Sequence, residues 1–113
     1  MTPAEQAQLR VLKIVEAQPE ISQRQLAEEM GVSVGKANYL IKALLQKGHI
    51  KAGNFMRAQD KLKYAYLLTP EGLSAKLQMT RSYLARKEAE YHALKAEIEA
   101  MRTELARQDE NNN

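Results

Sequence analysis

The sequence contains no cysteine, and histidine occurs only twice among its 113 residues. Without cysteine the chain can form neither disulfides nor thiolate zinc sites, and this composition suits a reducing compartment. His49 and His92 lie far apart in the chain, and neither has a cysteine or a histidine neighbour at ligand spacing. We therefore interpret both as surface residues and expect neither a metal nor another cofactor.

Long apolar runs are also missing. The longest, YAYLL at residues 64–68, is too short to cross a bilayer. The first residues, MTPAEQAQLRVLK, lack the apolar core of a signal peptide. We therefore expect a soluble, cytoplasmic protein, and the length allows one small domain with an appendage.

One glycine-containing motif has some features of a nucleotide-binding enzyme. GVSVGKA, from Gly31 to Ala37, resembles a phosphate-binding loop, but only three residues separate Gly31 from the Gly-Lys pair. Such a loop needs four, followed by a serine or threonine where this chain has Ala37. The serines at 22 and 33 are better explained as helix caps than as nucleophiles. The sequence therefore predicts a protein that is not an enzyme.

The positive charge is unevenly distributed. The formal net charge is +3, yet the segment from Ser33 to Lys63 alone contains seven lysine or arginine residues and one aspartate, a net +6. Such a concentration favours a polyanionic partner, most simply nucleic acid. The alternative is an ordinary lysine-rich surface exposed to solvent.

Capping residues predict three helices in the first half of the chain. Thr2-Pro3-Ala4-Glu5 begins a helix that Pro19 ends, and a capping box at Ser22–Gln25 begins a second that Gly31 ends. A third begins after Ser33 and runs to about Lys47, where Gly48 terminates it. The apolar face predicted for the first helix comprises Ala4, Ala7, Val11, Ile14 and Val15.

The second and third helices meet the side-chain requirements of a helix-turn-helix. Such a pair crosses closely, so the first helix needs a small residue at the crossing, and Ala27 supplies it. The apolar positions around it are Leu26, Met30, Val32, Ala37, Leu40, Ile41 and Leu44. An ordinary helical hairpin remains an alternative.

After the third helix the spacing of the apolar residues changes from the helical period to an alternation of apolar and polar residues. Residues 49–55 and 61–68 predict two antiparallel strands, with Ile50 and Ala52 facing inward on the first. The intervening AGNFMRAQDK supplies a Gly-Asn turn and a basic tip, and Ile21 is expected to add a short third strand. The sequence thus predicts a mainly α fold with a small β-wing, in which residues 1–69 form a winged helix-turn-helix domain.

The last third of the chain predicts a long helix over residues 70–108, followed by a disordered tail at 109–113. Its apolar residues follow alternating steps of four and three, which is typical of a coiled coil. The predicted dimerisation residues are Leu77, Leu84, Tyr91, Leu94, Ile98, Met101 and Leu105, with Leu73 preceding them. Thr80 and Lys87 place polar side chains in this seam, so a helix folded back on its own domain is the alternative.

Charge pairing favours a parallel homodimer. In a parallel pair Glu90 faces Lys95 of the partner subunit, and Glu97 faces Arg102 of the partner subunit. An antiparallel pair would instead bring the glutamates of both chains together.

ISQRQLAEEMGVSVGKANYLIKALLQKGHIK followed by KYAYLLTPEGL resembles the MarR-type winged-helix regulators, more narrowly the short subfamily associated with exopolysaccharide gene clusters. The resemblance covers nearly the whole chain and implies a DNA-binding transcriptional regulator of exopolysaccharide genes. Asp60 stands where the family has a wing aspartate, but Leu62 stands where a wing arginine is typical. The long N-terminal dimerisation helix of ordinary MarR proteins is absent from this sequence.

The third helix is the predicted recognition helix for double-stranded DNA. Asn38 can form a bidentate pair with adenine and Lys36 can donate to guanine, while three other side chains suit phosphate oxygens. The complete predicted recognition set is Ser33, Gly35, Lys36, Asn38, Tyr39 and Lys42, and the predicted wing contacts are Asn54, Arg57, Lys61 and Lys63. Gly35 lies in the first turn of this helix. Either it allows the helix to approach DNA closely, or glycine is simply tolerated near a helix start. The alternative function is a winged helix used as a protein-interaction module, with weak or no DNA binding.

Overall fold

The computed structural model describes residues 1–53, 56–58, 61–63 and 65–112, the second and third of these ranges by their strand pairing. Residues 1–80 form one compact unit and residues 81–113 a second. In chain order the elements are α1 Pro3–Ala17, α2 Gln23–Met30, α3 Val34–Gln46, β1 Ile50–Ala52, β2 Met56–Ala58, β3 Lys61–Lys63, β4 Tyr66–Leu68 and α4 Pro70–Asn111. The first turns of α4 therefore belong to the first unit, and α4 continues three residues past the end predicted near Gln108.

The helix boundaries follow the capping residues. Thr2 and Ser33 each accept a hydrogen bond from the backbone N–H three residues later, at 3.1 and 3.0 Å, at the start of α1 and α3. Ser22 and Gln25 form the reciprocal capping box of α2. Gly31 ends α2 with a φ of 67°, and Gly48 follows α3 with a φ of 73°, a left-handed conformation that favours glycine. These boundaries confirm the predicted three helices.

A single apolar core joins the three helices. Ala27 of α2 faces α3 at the crossing, where it is 3% exposed, and Ala37 of α3 is fully buried. The remaining core residues of the helix-turn-helix are Leu26, Met30, Leu40, Ile41 and Leu44. Because small residues let the helix axes approach, the crossing is tight, and the predicted helix-turn-helix packing is confirmed.

The buried surface of α1 is wider than predicted. Val11 and Val15 are buried as expected, but Leu9 and Leu12 are buried as well, whereas Ala4 is exposed. α1 contacts β4 as well as α2 and α3. A helix with several packing neighbours buries more than one narrow apolar stripe.

The hairpin is divided into two short ladders. β1 pairs with β4 and β2 with β3, both antiparallel. β2 therefore lies in the segment predicted as the turn, and the second predicted strand, at 61–68, is divided into β3 and β4. Between the ladders the Gly53 N–H donates to the Ala65 carbonyl, and a Cβ on Gly53 would lie 3.0 Å from that oxygen. Gly53 therefore permits a close approach of the two chain segments, where the sequence had predicted a turn at Gly-Asn.

Two further predictions about the strands were wrong. Ala52 is exposed, because β1 has only three residues and Ile50 alone reaches the core. Ile21 is buried but forms no strand, since its N–H donates to the carbonyl of Gln18 at 3.1 Å. The connection to β4 is instead one bond, from the Tyr66 N–H to the Pro19 carbonyl at 2.9 Å.

The start of α4 is fixed against the turn that follows α3. Thr69 donates its N–H to the His49 carbonyl at 3.1 Å and its hydroxyl to the Gly48 carbonyl. The Thr69 hydroxyl oxygen also accepts the Gly72 N–H at 3.0 Å. Gly72 is buried against the His49 backbone, where a Cβ would lie 1.8 Å from the carbonyl oxygen. Only glycine fits this position, which explains the glycine of the TPEG segment.

Candidate functional site

The exposed face of α3 carries most of the predicted recognition residues. Lys36, Tyr39 and Lys42 are exposed, and Tyr39 retains 64% of its accessible surface. Ala37 and Leu44 of the same helix are fully buried. The apolar core therefore directs one face of α3 inward and leaves the basic and aromatic side chains on the other available to a ligand.

Two of these side chains are held together. The Lys36 ammonium lies 5.2 Å from the centroid of the Tyr39 ring, within the range of a cation–π interaction. Ser33, at the start of the helix, uses its hydroxyl oxygen to accept the Lys36 N–H. Its hydroxyl hydrogen remains available to donate, so capping and contact with a phosphate oxygen are compatible.

Asn38 differs from its neighbours on α3. Its side chain is half-buried, and its Nδ2 donates to Oε1 of Gln23 at 2.9 Å. Gln23 was missed in the sequence interpretation, which treated α2 only as a packing partner. The available signal was the presence of amide side chains near the starts of both helices that flank the turn.

Gly35 meets no packing requirement within the protein. A Cβ at this position would contact only the Ser33 hydroxyl oxygen, at 3.9 Å, which is ordinary van der Waals distance. Val34 beside it is 48% exposed and adds an apolar side chain to the same end of the helix. An exposed methyl group there suits contact with the methyl group of thymine.

The predicted wing contacts are only partly covered by the described residues. Arg57 lies in β2 opposite Leu62, while Lys61 and Lys63 of β3 lie opposite Ala58 and Met56. Asn54 lies outside the described residues. The ladder thus places the three basic wing residues on paired strands near the tip of the hairpin, and their role in DNA binding stays a prediction.

Some of the basic segment has a structural role. The Lys47 ammonium donates to Oε1 of Gln8 at 2.9 Å, which ties the end of α3 to α1. Lys42 and Lys51 are exposed. Because Gln8 is neutral, Lys47 keeps its positive charge, and the hydrogen bond holds its ammonium group near α1.

The predicted dimerisation residues of α4 are all exposed. Their accessible fractions are Leu77 48%, Leu84 55%, Tyr91 61%, Leu94 55%, Ile98 37%, Met101 48% and Leu105 65%. Within the first unit α4 packs on the core through Gly72 and Met79, while Leu73 is 46% exposed. These exposed residues, called here the apolar stripe, recur at helical spacing along α4, and their role in dimerisation stays a prediction.

Charged residues beside this stripe are paired within the chain. Glu90 accepts from both Arg86 and Lys87 at 3.2 Å. The hydrogen bond to Lys87 and the charge of Lys87 lower the pKa of Glu90, and the hydrogen bond and charge of Glu90 raise the pKa of Lys87. Both groups are exposed, so the pairing adds little stability.

The described residues contain no group of three or more histidine, cysteine, aspartate or glutamate side chains that could hold a metal ion. None of the described helices is long and apolar enough to span a bilayer.

Comparison with known proteins defines the class of fold. Residues 5–51 match a family model described as winged helix-turn-helix DNA-binding. No curated protein sequence matches the chain. The predicted winged helix-turn-helix fold is therefore confirmed, and the alternative of an ordinary helical hairpin is excluded.

Solved structures with the same fold include three bacterial proteins. Streptococcus pneumoniae FabT in complex with DNA is 19% identical, with a TM-score of 0.56 over 73% of this chain and 56% of FabT. Escherichia coli MarR in its apo form is 20% identical, with a TM-score of 0.55 over 66% of this chain and 54% of MarR. A mutant of Staphylococcus aureus MepR bound to an oligodeoxyribonucleotide is 19% identical, with a TM-score of 0.61 over 93% of this chain and 80% of MepR. The chain thus spans little more than half the length of FabT and MarR.

Proposed function

We propose that this protein is a sequence-specific, double-stranded DNA-binding transcriptional regulator of the MarR type. The observation that carries the proposal is the exposed face of α3, where Lys36, Tyr39 and Lys42 lie opposite a fully buried apolar face. An α-helix fits the major groove, and basic side chains beside it neutralise phosphates. The family match over the helix-turn-helix and the DNA complex of FabT support this function.

Each recognition residue has a chemical role in this proposal. Asn38 pairs with adenine and Lys36 donates to guanine, while Ser33, Tyr39 and Lys42 contact phosphate oxygens. Gly35 allows the start of α3 to approach the DNA closely. The wing residues Asn54, Arg57, Lys61 and Lys63 contact the flanking backbone.

We further propose that the protein is a homodimer assembled through α4. A domain of about 70 residues buries a small core, so association through the exposed apolar stripe supports both folding and recognition. In this organisation residues 1–69 bind DNA, and residues 70–108 form a parallel coiled coil. A two-fold dimer requires half-sites about 10 base pairs apart, or a multiple of that spacing.

The parallel orientation can be tested because the chain has no cysteine. Leu105→Cys places the two introduced thiols together at the interface of a parallel pair, within the short Cβ separation that a disulfide needs. We expect mild oxidation to cross-link this variant. Thr103→Cys is the matched control, since two residues along a helix lead to the opposite face. A dimer in which Leu105→Cys does not cross-link would not be the proposed parallel coiled coil.

Exopolysaccharide biosynthesis genes are the proposed targets. This part of the proposal rests on the resemblance of the chain to the short MarR-type subfamily. It predicts that the bound sequence lies upstream of such genes.

Selection of bound sequences from a random duplex pool tests the main proposal. We expect recovery of one motif with two similar half-sites. The full-length protein carrying Lys36→Ala and Lys42→Ala is the control, and it should recover far less DNA. If the wild-type protein enriches no motif, the protein-interaction module becomes the better interpretation.

A further inference from the structure

The contact between Asn38 and Gln23 joins the two helices of the helix-turn-helix at their exposed ends. Gln23 is the first residue of α2, and Asn38 is the fifth residue of α3. Their amides are 2.9 Å apart, and both side chains are half-buried. Residues 23–46 are all described, and no other hydrogen bond between side chains of α2 and α3 is present among them.

Both partners are held by the surrounding structure. The capping box of Ser22 and Gln25, with hydrogen bonds of 3.1 Å in each direction, fixes the backbone that carries Gln23. The neighbouring Ala37 is fully buried in the core that α2 and α3 share. The distance between the two amides is therefore set by the packing of α2 on α3.

The contact restrains where the Asn38 amide lies. A carboxamide has one acceptor oxygen and two N–H donors. One N–H of Asn38 is donated to Gln23, so the hydrogen bond holds the side chain of Asn38 in one rotamer. Oδ1 and the second N–H remain for a ligand, and an adenine edge requires one acceptor and one donor.

We propose that Gln23 is a positioning residue that supports the base preference of Asn38 by holding its amide in place. This inference rests on the proposed DNA-binding function. Gln23 itself does not have to contact a base for this role. Its removal is expected to relax specificity at one base pair and to leave the phosphate contacts of the other residues unchanged.

Two substitutions of Gln23 separate this role from a general structural one. Gln23→Met has similar length but no acceptor, so the Asn38 amide loses its partner. Gln23→Glu retains an acceptor oxygen for the Asn38 N–H, although its negative charge lowers affinity for every duplex. The first variant should lose base discrimination, and the second should keep it.

The experiment measures competition between the selected duplex and a duplex changed at the base pair whose preference Asn38→Ala relaxes. A bidentate contact worth about 1 to 3 kcal/mol corresponds to roughly 5- to 150-fold discrimination in the wild-type protein. We expect Gln23→Met to reduce this ratio to that of Asn38→Ala, and Gln23→Glu to retain it. The double variant Gln23→Met/Asn38→Ala should equal Asn38→Ala alone, because both changes remove the same contact.

Failure of the proposed function and failure of the inference about Gln23 give different results. If the wild-type protein does not discriminate between duplexes, the proposed function fails and the inference fails with it. If the wild-type protein discriminates and Gln23→Met does so equally well, only the inference is wrong. Circular dichroism and the salt dependence of non-specific binding serve as controls, and both should match the wild-type protein for Gln23→Met.

Discussion

Replacement of Gly72 with alanine tests how rigidly α4 is attached to the helix-turn-helix. A Cβ at Gly72 would lie 1.8 Å from the His49 carbonyl oxygen, whereas ordinary contacts begin at 3.4 Å. The obstructing atoms are backbone, at 1.8, 2.7 and 3.0 Å, so no flexible side chain can move aside. The start of α4 and the His49 turn must separate by roughly 1.6 Å to accept the methyl group.

The expected cost follows from the contacts that this separation breaks. Overpacking of a fitted site destabilises by about 1 to 3 kcal/mol. The two hydrogen bonds from Thr69 to the carbonyls of His49 and Gly48 contribute about 1 kcal/mol each. Alanine offsets about 1 kcal/mol through its higher helix propensity. We therefore expect Gly72→Ala to lower the free energy of unfolding by about 2 to 4 kcal/mol.

Urea unfolding followed by circular dichroism, at one fixed protein concentration, measures this change. Gly35→Ala is the matched control, because Gly35 is also in the first turn of a helix and its added Cβ would meet only the Ser33 hydroxyl oxygen at 3.9 Å. It should leave stability unchanged or raise it by up to about 1 kcal/mol. If the free energy of unfolding of Gly72→Ala lies within about 0.5 kcal/mol of the wild-type value, the start of α4 is not rigidly attached to the turn at His49.

Three further predictions concern DNA binding and assembly. The log of duplex affinity should fall with log salt by about 0.9 per phosphate contact, and Lys63→Ala should flatten the slope in a salt titration. Asn38→Ala should cost roughly 1 to 3 kcal/mol on the selected site, whereas Lys42→Ala should weaken all duplexes alike in competition binding. Replacement of both Leu94 and Ile98 with aspartate places like charges in the apolar stripe of α4. Sedimentation equilibrium should then show a monomer, which retains weak non-specific binding but little affinity for the two-half-site duplex.

Three results would contradict these predictions. A salt slope unchanged by Lys63→Ala would show that Lys63 does not contact a phosphate. Equal weakening of every duplex by Asn38→Ala would argue against base recognition by this side chain. A double aspartate variant that remains dimeric would place the interface outside the apolar stripe.

Local features of the sequence were sufficient to predict the helices. A helix cap forms hydrogen bonds only with residues a few positions away. Ser22 and Gln25 therefore determine the start of α2 independently of the elements against which the helix packs. Gly31 likewise ends α2 because its positive φ is a local property of the chain. The basic residues on the exposed side of α3 followed from the position of the apolar residues, since the helical period fixes both faces together.

The strands were harder to predict because pairing depends on residues distant in the chain. The alternating pattern identified both strands of the hairpin, but the interruption at Gly53 depends on the approach of Ala65 across the ladder. Similarly, α1 contacts β4 as well as α2 and α3, and it buries Leu9 and Leu12 in addition to the predicted residues. Neither the approach of Ala65 to Gly53 nor the contact of β4 with α1 can be inferred from the local spacing of apolar residues.

The sequence by itself determined the helix-turn-helix, the alternating strands and the apolar stripe of α4, because caps and periodic apolar positions act over a few residues. Tertiary structure alone decided that Gly72 must be glycine, since the obstructing atoms belong to His49, which is 23 residues earlier in the chain. It also decided the environment of Asn38. The sequence identified this side chain as a recognition residue, but its hydrogen bond to Gln23 exists only because the packing of α2 on α3 brings the two amides within 2.9 Å.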